Sequence, residues 1–78
     1  MITVKLMGML RLDSEIRELK LEADSVKKMF DALVRQSDSI TPKKLDGCVV
    51  FINGKQGSKR SKLVDGDEVI LMSPVAGG

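Results

Sequence analysis

Glu68-Val69-Ile70-Leu71-Met72-Ser73-Pro74-Val75-Ala76-Gly77-Gly78 closes the chain, and the reading of this stretch decides the fold. Its first half is an apolar run of strand formers set off by the turn residues Asp65-Gly66-Asp67. Pro74 fixes φ and lacks an N–H, so ladder pairing ends there and the tail is launched stiffly away from the sheet. Gly77 and Gly78 carry no Cβ, so the tail can thread a channel only as wide as a backbone. Its terminal carboxyl can then reach a buried active site and be activated there. A frayed end that finishes in glycines by chance is the plainer alternative. The position of Gly-Gly, one Pro-Val-Ala step beyond a strand, favours the functional reading.

Working outward, residues 1–7 alternate, with Ile2, Val4 and Leu6 on one face and Thr3, Lys5 and Met7 on the other, a half-buried strand. Gly8 starts a loop that runs through Asp13-Ser14. Leu19, Leu21 and Ala23 alternate with Lys20 and Glu22, giving a second strand in a hairpin with the first. Val26, Met29, Phe30, Leu33 and Val34 then fall at the spacing of one helical stripe, with Ser25 or Asp24 where an N-cap belongs. The stripe is read as core because the sheet needs one face covered. Phe30 and Leu33, at its middle, are expected to pack on Val4, Leu6, Val50, Ile52, Val69 and Leu71. Residues 37–47 read as a loop and Cys48 to Ile52 as a strand buried on at least one side. Asn53-Gly54 is the strongest hairpin-turn dipeptide in the chain.

The fold class is therefore α+β: a mixed sheet of four to five strands with one main helix on one face, the ubiquitin-like β-grasp arrangement. The first and last strands carry the strongest patterns and are expected to pair in parallel at the sheet centre. Residues 1–73 form the domain and residues 74–78 a flexible tail.

Composition narrows function. Seventy-eight residues make one small domain, which buries only about 60–65% of its unfolded surface. Two aromatics, Phe30 and Phe51, leave an aliphatic core with Met filling gaps. With no histidine and one cysteine, no Ser-His or Cys-His pair and no His-containing zinc site can be built. An autonomous enzyme is not expected, nor a metal site. Asp65, Asp67 and Glu68 lack the further ligands of a calcium loop. A net charge of +2 argues for neither nucleic acid nor an acidic membrane. No apolar run approaches the roughly 20 residues that span a bilayer, and the chain opens on a strand, so a cytoplasmic protein is expected. Cys48 is read as a small buried hydrophobe.

Leu63, Asp65-Gly66-Asp67-Glu68-Val69 and the Ser73-to-Gly78 tail resemble the small subunit of molybdopterin synthase (MoaD-like) and, more broadly, the MoaD/ThiS sulfur carriers. The opening Met1-Ile2-Thr3-Val4 strand and the Asn53-Gly54 turn agree with that pattern. Leu6-Met7-Gly8 stands where the family commonly has two aromatics and Ala, and Ser73-Pro74 where it commonly has two prolines. The resemblance implies a protein that is substrate and reagent rather than catalyst. A ubiquitin-activating-type adenylating enzyme (MoeB/ThiF-like) would use ATP to convert the Gly78 carboxylate to an acyl-adenylate, Gly77 passing the narrow channel. The carrier itself would bind no cofactor. Sulfur transfer would give a thiocarboxylate, and the large subunit of molybdopterin synthase (MoaE-like) would accept the sulfur. A ubiquitin-like modifier, a thiamin or tRNA sulfur carrier, and a β-grasp domain that only binds are the alternatives.

By alternation Met7, Phe51, Ile70 and Met72 take the face away from the helix. Single exposed hydrophobes are ordinary, but four converging near the tail are read as a docking surface, continued by Pro74, Val75 and Ala76. Lys43-Lys44 and Lys55, Lys59, Arg60 and Lys62 read as solvated loops, since no aromatic interleaves with them for base stacking.

Overall fold

The computed structural model describes residues 1–73. Strand β1 (Ile2–Met7) leads through helix α1 (Met9–Ser14) to β2 (Glu18–Leu21). Helices α2 (Val26–Gln36) and α3 (Pro42–Asp46) follow, then β3 (Val49–Ile52), β4 (Lys55–Gln56) and β5 (Glu68–Met72). The strands form one sheet in the order β2-β1-β5-β3-β4. β1 and β5 run parallel, and the other pairs are antiparallel. The expected parallel pairing of first and last strands at the sheet centre is thus present, and it makes β5 a central strand.

Strand parity explains the core. Ile2, Val4, Leu6, Leu21, Val50, Val69 and Leu71 all point to one side and are buried there. Val26, Met29 and Leu33 of α2 close over them, each wholly shielded. A fully buried aliphatic side chain of this size contributes about 1.5–3 kcal/mol, so this layer supplies most of the driving force. Ser25 caps α2, its Oγ accepting from the Lys28 N–H at 3.2 Å. Between the strands of the β3–β4 hairpin, Asn53 and Gly54 both take positive φ, as the turn reading requires.

Five expectations need correction. Residues 9–14 are helical rather than a loop, and the helix is held from outside: its Leu10 is buried in the core, and its end is turned by Glu15 in the left-handed region. Residues 42–46 are also helical, with Thr41 Oγ1 capping the Lys44 N–H at 3.2 Å and Pro42 in the first turn, where a missing N–H costs nothing. Third, Phe30 and Val34 are only half-buried. They sit on the shoulder of α2 and line a cleft of about 390 Å3 with Pro42 and Leu45 of α3. Residues 26, 29 and 33 take the centre of the stripe instead. Ile52, placed on the core side, is likewise half-buried. Cys48 is half-buried rather than fully enclosed; its thiol donates to the Lys44 carbonyl at 3.3 Å, and burial pushes its pKa up.

Candidate functional site

Residues of opposite parity on β1, β5 and β3 form the second face of the sheet. Register places Met7 beside Met72 and Met72 beside Val49, so three apolar side chains stand in one row across the strands. The next row is Lys5, Ile70 and Phe51, and the row beyond it pairs Thr3 with Glu68. Apolar character therefore increases along β5 toward Ser73. Met7, Met72 and Val49 are 42%, 41% and 39% exposed, far above what a core position shows. Ile70 and Phe51 are half-buried between their neighbours. At the polar end, Lys5 Nζ lies 3.5 Å from a Glu68 carboxylate oxygen.

All four residues assigned to this face by alternation, Met7, Phe51, Ile70 and Met72, are brought together on it. Pro74, Val75, Ala76, Gly77 and Gly78 lie outside the described residues. Val49 belongs to the patch and was not singled out, although the parity that turns Phe51 outward turns Val49 outward too. Two methionines in the row by the tail root make that edge adaptable, since an unbranched thioether repacks readily against a partner.

Ser73 follows the strand directly; the sequence marked it only as part of the tail and as a departure from the family's two prolines, not as a residue with contacts of its own. Its Oγ accepts from the Leu10 N–H at 3.0 Å and donates to the Met7 carbonyl at 3.2 Å. Its own N–H donates to the same carbonyl at 3.3 Å. Gly8 makes the approach possible: a Cβ there would stand 2.7 Å from Ser73 Oγ and 2.8 Å from its carbonyl oxygen, and its φ is +74°. Only glycine meets both demands without strain. These contacts cross more than 60 residues of sequence, so no local signal could have announced them.

The opposite end of β5 is fixed by polar groups. Asp67 is buried, its Oδ2 accepting from the Val64 N–H at 2.9 Å and its Oδ1 from Asn53 Nδ2 at 2.8 Å. Asn53 Oδ1 in turn accepts from the Glu68 N–H at 2.9 Å. The bond from Val64, with that from Asn53, holds the Asp67 carboxyl below the usual aspartate range. This network ties the β3–β4 hairpin to the start of β5. In the basic stretches, Lys44 pairs with Asp13 at 3.1 Å and Lys59 with Asp46 at 2.9 Å. Among the described residues, no group of three or more His, Cys, Asp or Glu is placed to hold a metal ion. None of the described helices is long and apolar enough to cross a membrane.

Residues 5–78 match the model of the ThiS family. In structure the chain is similar to SAMP1 of Haloferax volcanii, with 25% identity, a TM-score of 0.79, and 99% of this chain and 98% of that one covered. It is also similar to the small archaeal modifier protein 1 of Methanosarcina acetivorans, at 22% identity and a TM-score of 0.83, over 99% and 95% of the two chains. A chain in the complex of subunits 1 and 2 of the molybdopterin-converting factor from Helicobacter pylori gives 22% identity and a TM-score of 0.69, over 99% and 97%. The last two share the β-grasp fold. No curated protein matches the chain by sequence.

Proposed function

Because the chain belongs to the ThiS family of ubiquitin-fold sulfur carriers, we propose that it carries sulfur as a thiocarboxylate on Gly78 and donates it in molybdopterin synthesis. A carboxylate is a poor electrophile, so activation comes first. A MoeB/ThiF-like adenylating enzyme binds ATP, and the Gly78 carboxylate attacks the α-phosphorus and displaces pyrophosphate. A sulfur nucleophile, hydrosulfide in the simplest case, then attacks the acyl carbon and expels AMP. No electron is exchanged in that step; oxygen leaves with AMP and sulfur takes its place. The thiocarboxylate passes its sulfur to a MoaE-like acceptor bound to the same face. An ATP-consuming first step fits a cytoplasmic location.

The observation that carries the proposal is the apolar row Met7, Met72 and Val49 at the end of β5, against the residue from which the Gly-Gly segment departs. A partner seated on that row has the tail root at its edge. Such a surface suits a protein whose terminus must be handed between enzymes, and the H. pylori likeness, a two-subunit complex, supports binding of a second subunit.

The test is intact mass after incubation with ATP, sulfide and the host's adenylating enzyme. Replacement of oxygen by sulfur adds about 16 Da. The parent gains that mass and a variant lacking Gly78 does not, with both equally folded. A parent that stays at its starting mass contradicts the proposal. The two archaeal likenesses are modifier proteins by name, which favours lysine conjugation as the second reading. Conjugation uses the same acyl-adenylate and would show as an isopeptide-linked ladder in cells.

A further inference from the structure

The bonds made by Ser73 have a consequence for how the tail is presented. Pairing of β5 with β1 ends at Met72 opposite Met7, and the Ser73 N–H, donating to the Met7 carbonyl, is the last backbone bond of that ladder. With two further bonds made by its hydroxyl, Ser73 is held by three hydrogen bonds to β1 and α1. Its N–H and its Oγ both donate to the Met7 carbonyl, at 3.3 and 3.2 Å, and the same Oγ accepts from the Leu10 N–H at 3.0 Å. The third bond is the informative one. Leu10 is buried, so α1 is anchored in the core, and through that N–H it grips the root of the tail. Gly8 sits under the grip, with Ser73 so close that a Cβ there would overlap both Oγ and the carbonyl oxygen.

We propose that Ser73 is a positioning residue for C-terminal activation: the Gly8–Ser73–Leu10 clasp sets the direction in which the chain leaves β5. The proposal rests on the sulfur-carrier reading above. Its physical basis is a division of labour. The outer face supplies affinity for the adenylating enzyme. The clasp makes a docked body present its terminus toward the catalytic pocket instead of over a wide cone. Reactions that depend on placing a nucleophile lose rate when the supporting geometry loosens by about 1 Å, even where binding is unchanged. Ser73 is half-buried, next in sequence to the apolar row rather than a member of it. Removing its hydroxyl therefore leaves the affinity-bearing side chains in place.

The Ser73→Ala variant removes two of the three bonds, and Ser73→Thr keeps the hydroxyl. ATP–pyrophosphate exchange by the host's adenylating enzyme, with full-length carrier as the varied substrate, separates the possibilities. A loosened tail root lowers kcat about tenfold and leaves KM within twofold, because a docked body then presents its terminus productively less often. Thr restores kcat. A purely structural role has the opposite signature: part of the population is unfolded, so KM rises while kcat is unchanged. That result, or equal kcat in Ala and parent, overturns the proposal while leaving the sulfur-carrier reading intact. If the parent supports no exchange at all, both fall together. Circular dichroism at the assay temperature confirms that the Ala variant is folded, so its kcat reports on the clasp.

Discussion

The two faces of the central strands share one backbone and differ in everything else. On β1, β5 and β3 the residues Val4, Leu6, Val69, Leu71 and Val50 point toward α2 and are at most a few per cent exposed. Their immediate neighbours in sequence, Met7, Ile70, Met72 and Val49, are just as apolar but lie half-buried or open on the other side. Composition cannot tell these sets apart; parity alone does. The inner set has been spent on stability. The outer set has no partner within the described chain, so its apolar area is available for binding. A substitution should then damage folding or association according to the parity of its position rather than its hydrophobicity.

The largest expected effect is on the inner side. Leu33→Ala opens a hole in a wholly shielded position and should cost about 2–5 kcal/mol. Against a total of about 5–15 kcal/mol for a domain, that brings the variant near the edge of stability. Urea denaturation reads it directly, as a lower midpoint with an unchanged slope. An unaltered midpoint would mean that the stripe of α2 is not the core.

Phe30→Ala is the intermediate case and should cost only about 1–2 kcal/mol, since the ring is half-buried at the mouth of the α2–α3 cleft. A loss as large as that of Leu33→Ala would place Phe30 with the inner set.

Acid gives a smaller, graded effect. The folded-state pKa of Asp67 is depressed, so its contribution is complete above the ordinary aspartate value and is lost as pH falls through the lower, folded value. Asp67→Asn should melt below the parent at neutral pH, and the gap in Tm should narrow as the solution is acidified through that window. A gap independent of pH would show that the charge of Asp67 is not what the network uses.

Legibility followed the range of the interactions involved. The strands and α2 could be read because periodicities of 2 and 3.6 are local, and the Asn53-Gly54 turn because φ > 0 selects those residues. α3 had a signal, Thr41-Pro42, but five residues are too few for a periodic stripe to form. α1 had almost none: its one buried residue is Leu10, and the hydroxyl that satisfies the Leu10 N–H comes from Ser73. Phe30 was misplaced because five apolar positions on α2 span a wider arc than the sheet covers, and only packing with Pro42 and Leu45 settles which edge stays open. The outer patch was legible from alternation alone, Val49 included. Ser73 was not, since its meaning lies in contacts with β1 and α1 across the whole chain.

The contrast between faces, and the carrier role built on it, meet in one experiment on Met72. This residue is 41% exposed, so Met72→Glu should change stability by no more than about 0.5 kcal/mol while placing a charge in the middle of the apolar row. Phe51 is less suitable, because its half-buried ring would mix a folding cost into the result. Equal amounts of parent and Met72→Glu are mixed with ATP, sulfide and a limiting amount of the host's adenylating enzyme, and the intact mass of both is followed in the same tube. The parent is expected to gain its sulfur, about 16 Da, at least tenfold faster than the variant. Equal rates of gain would contradict the assignment of the outer face as the docking surface.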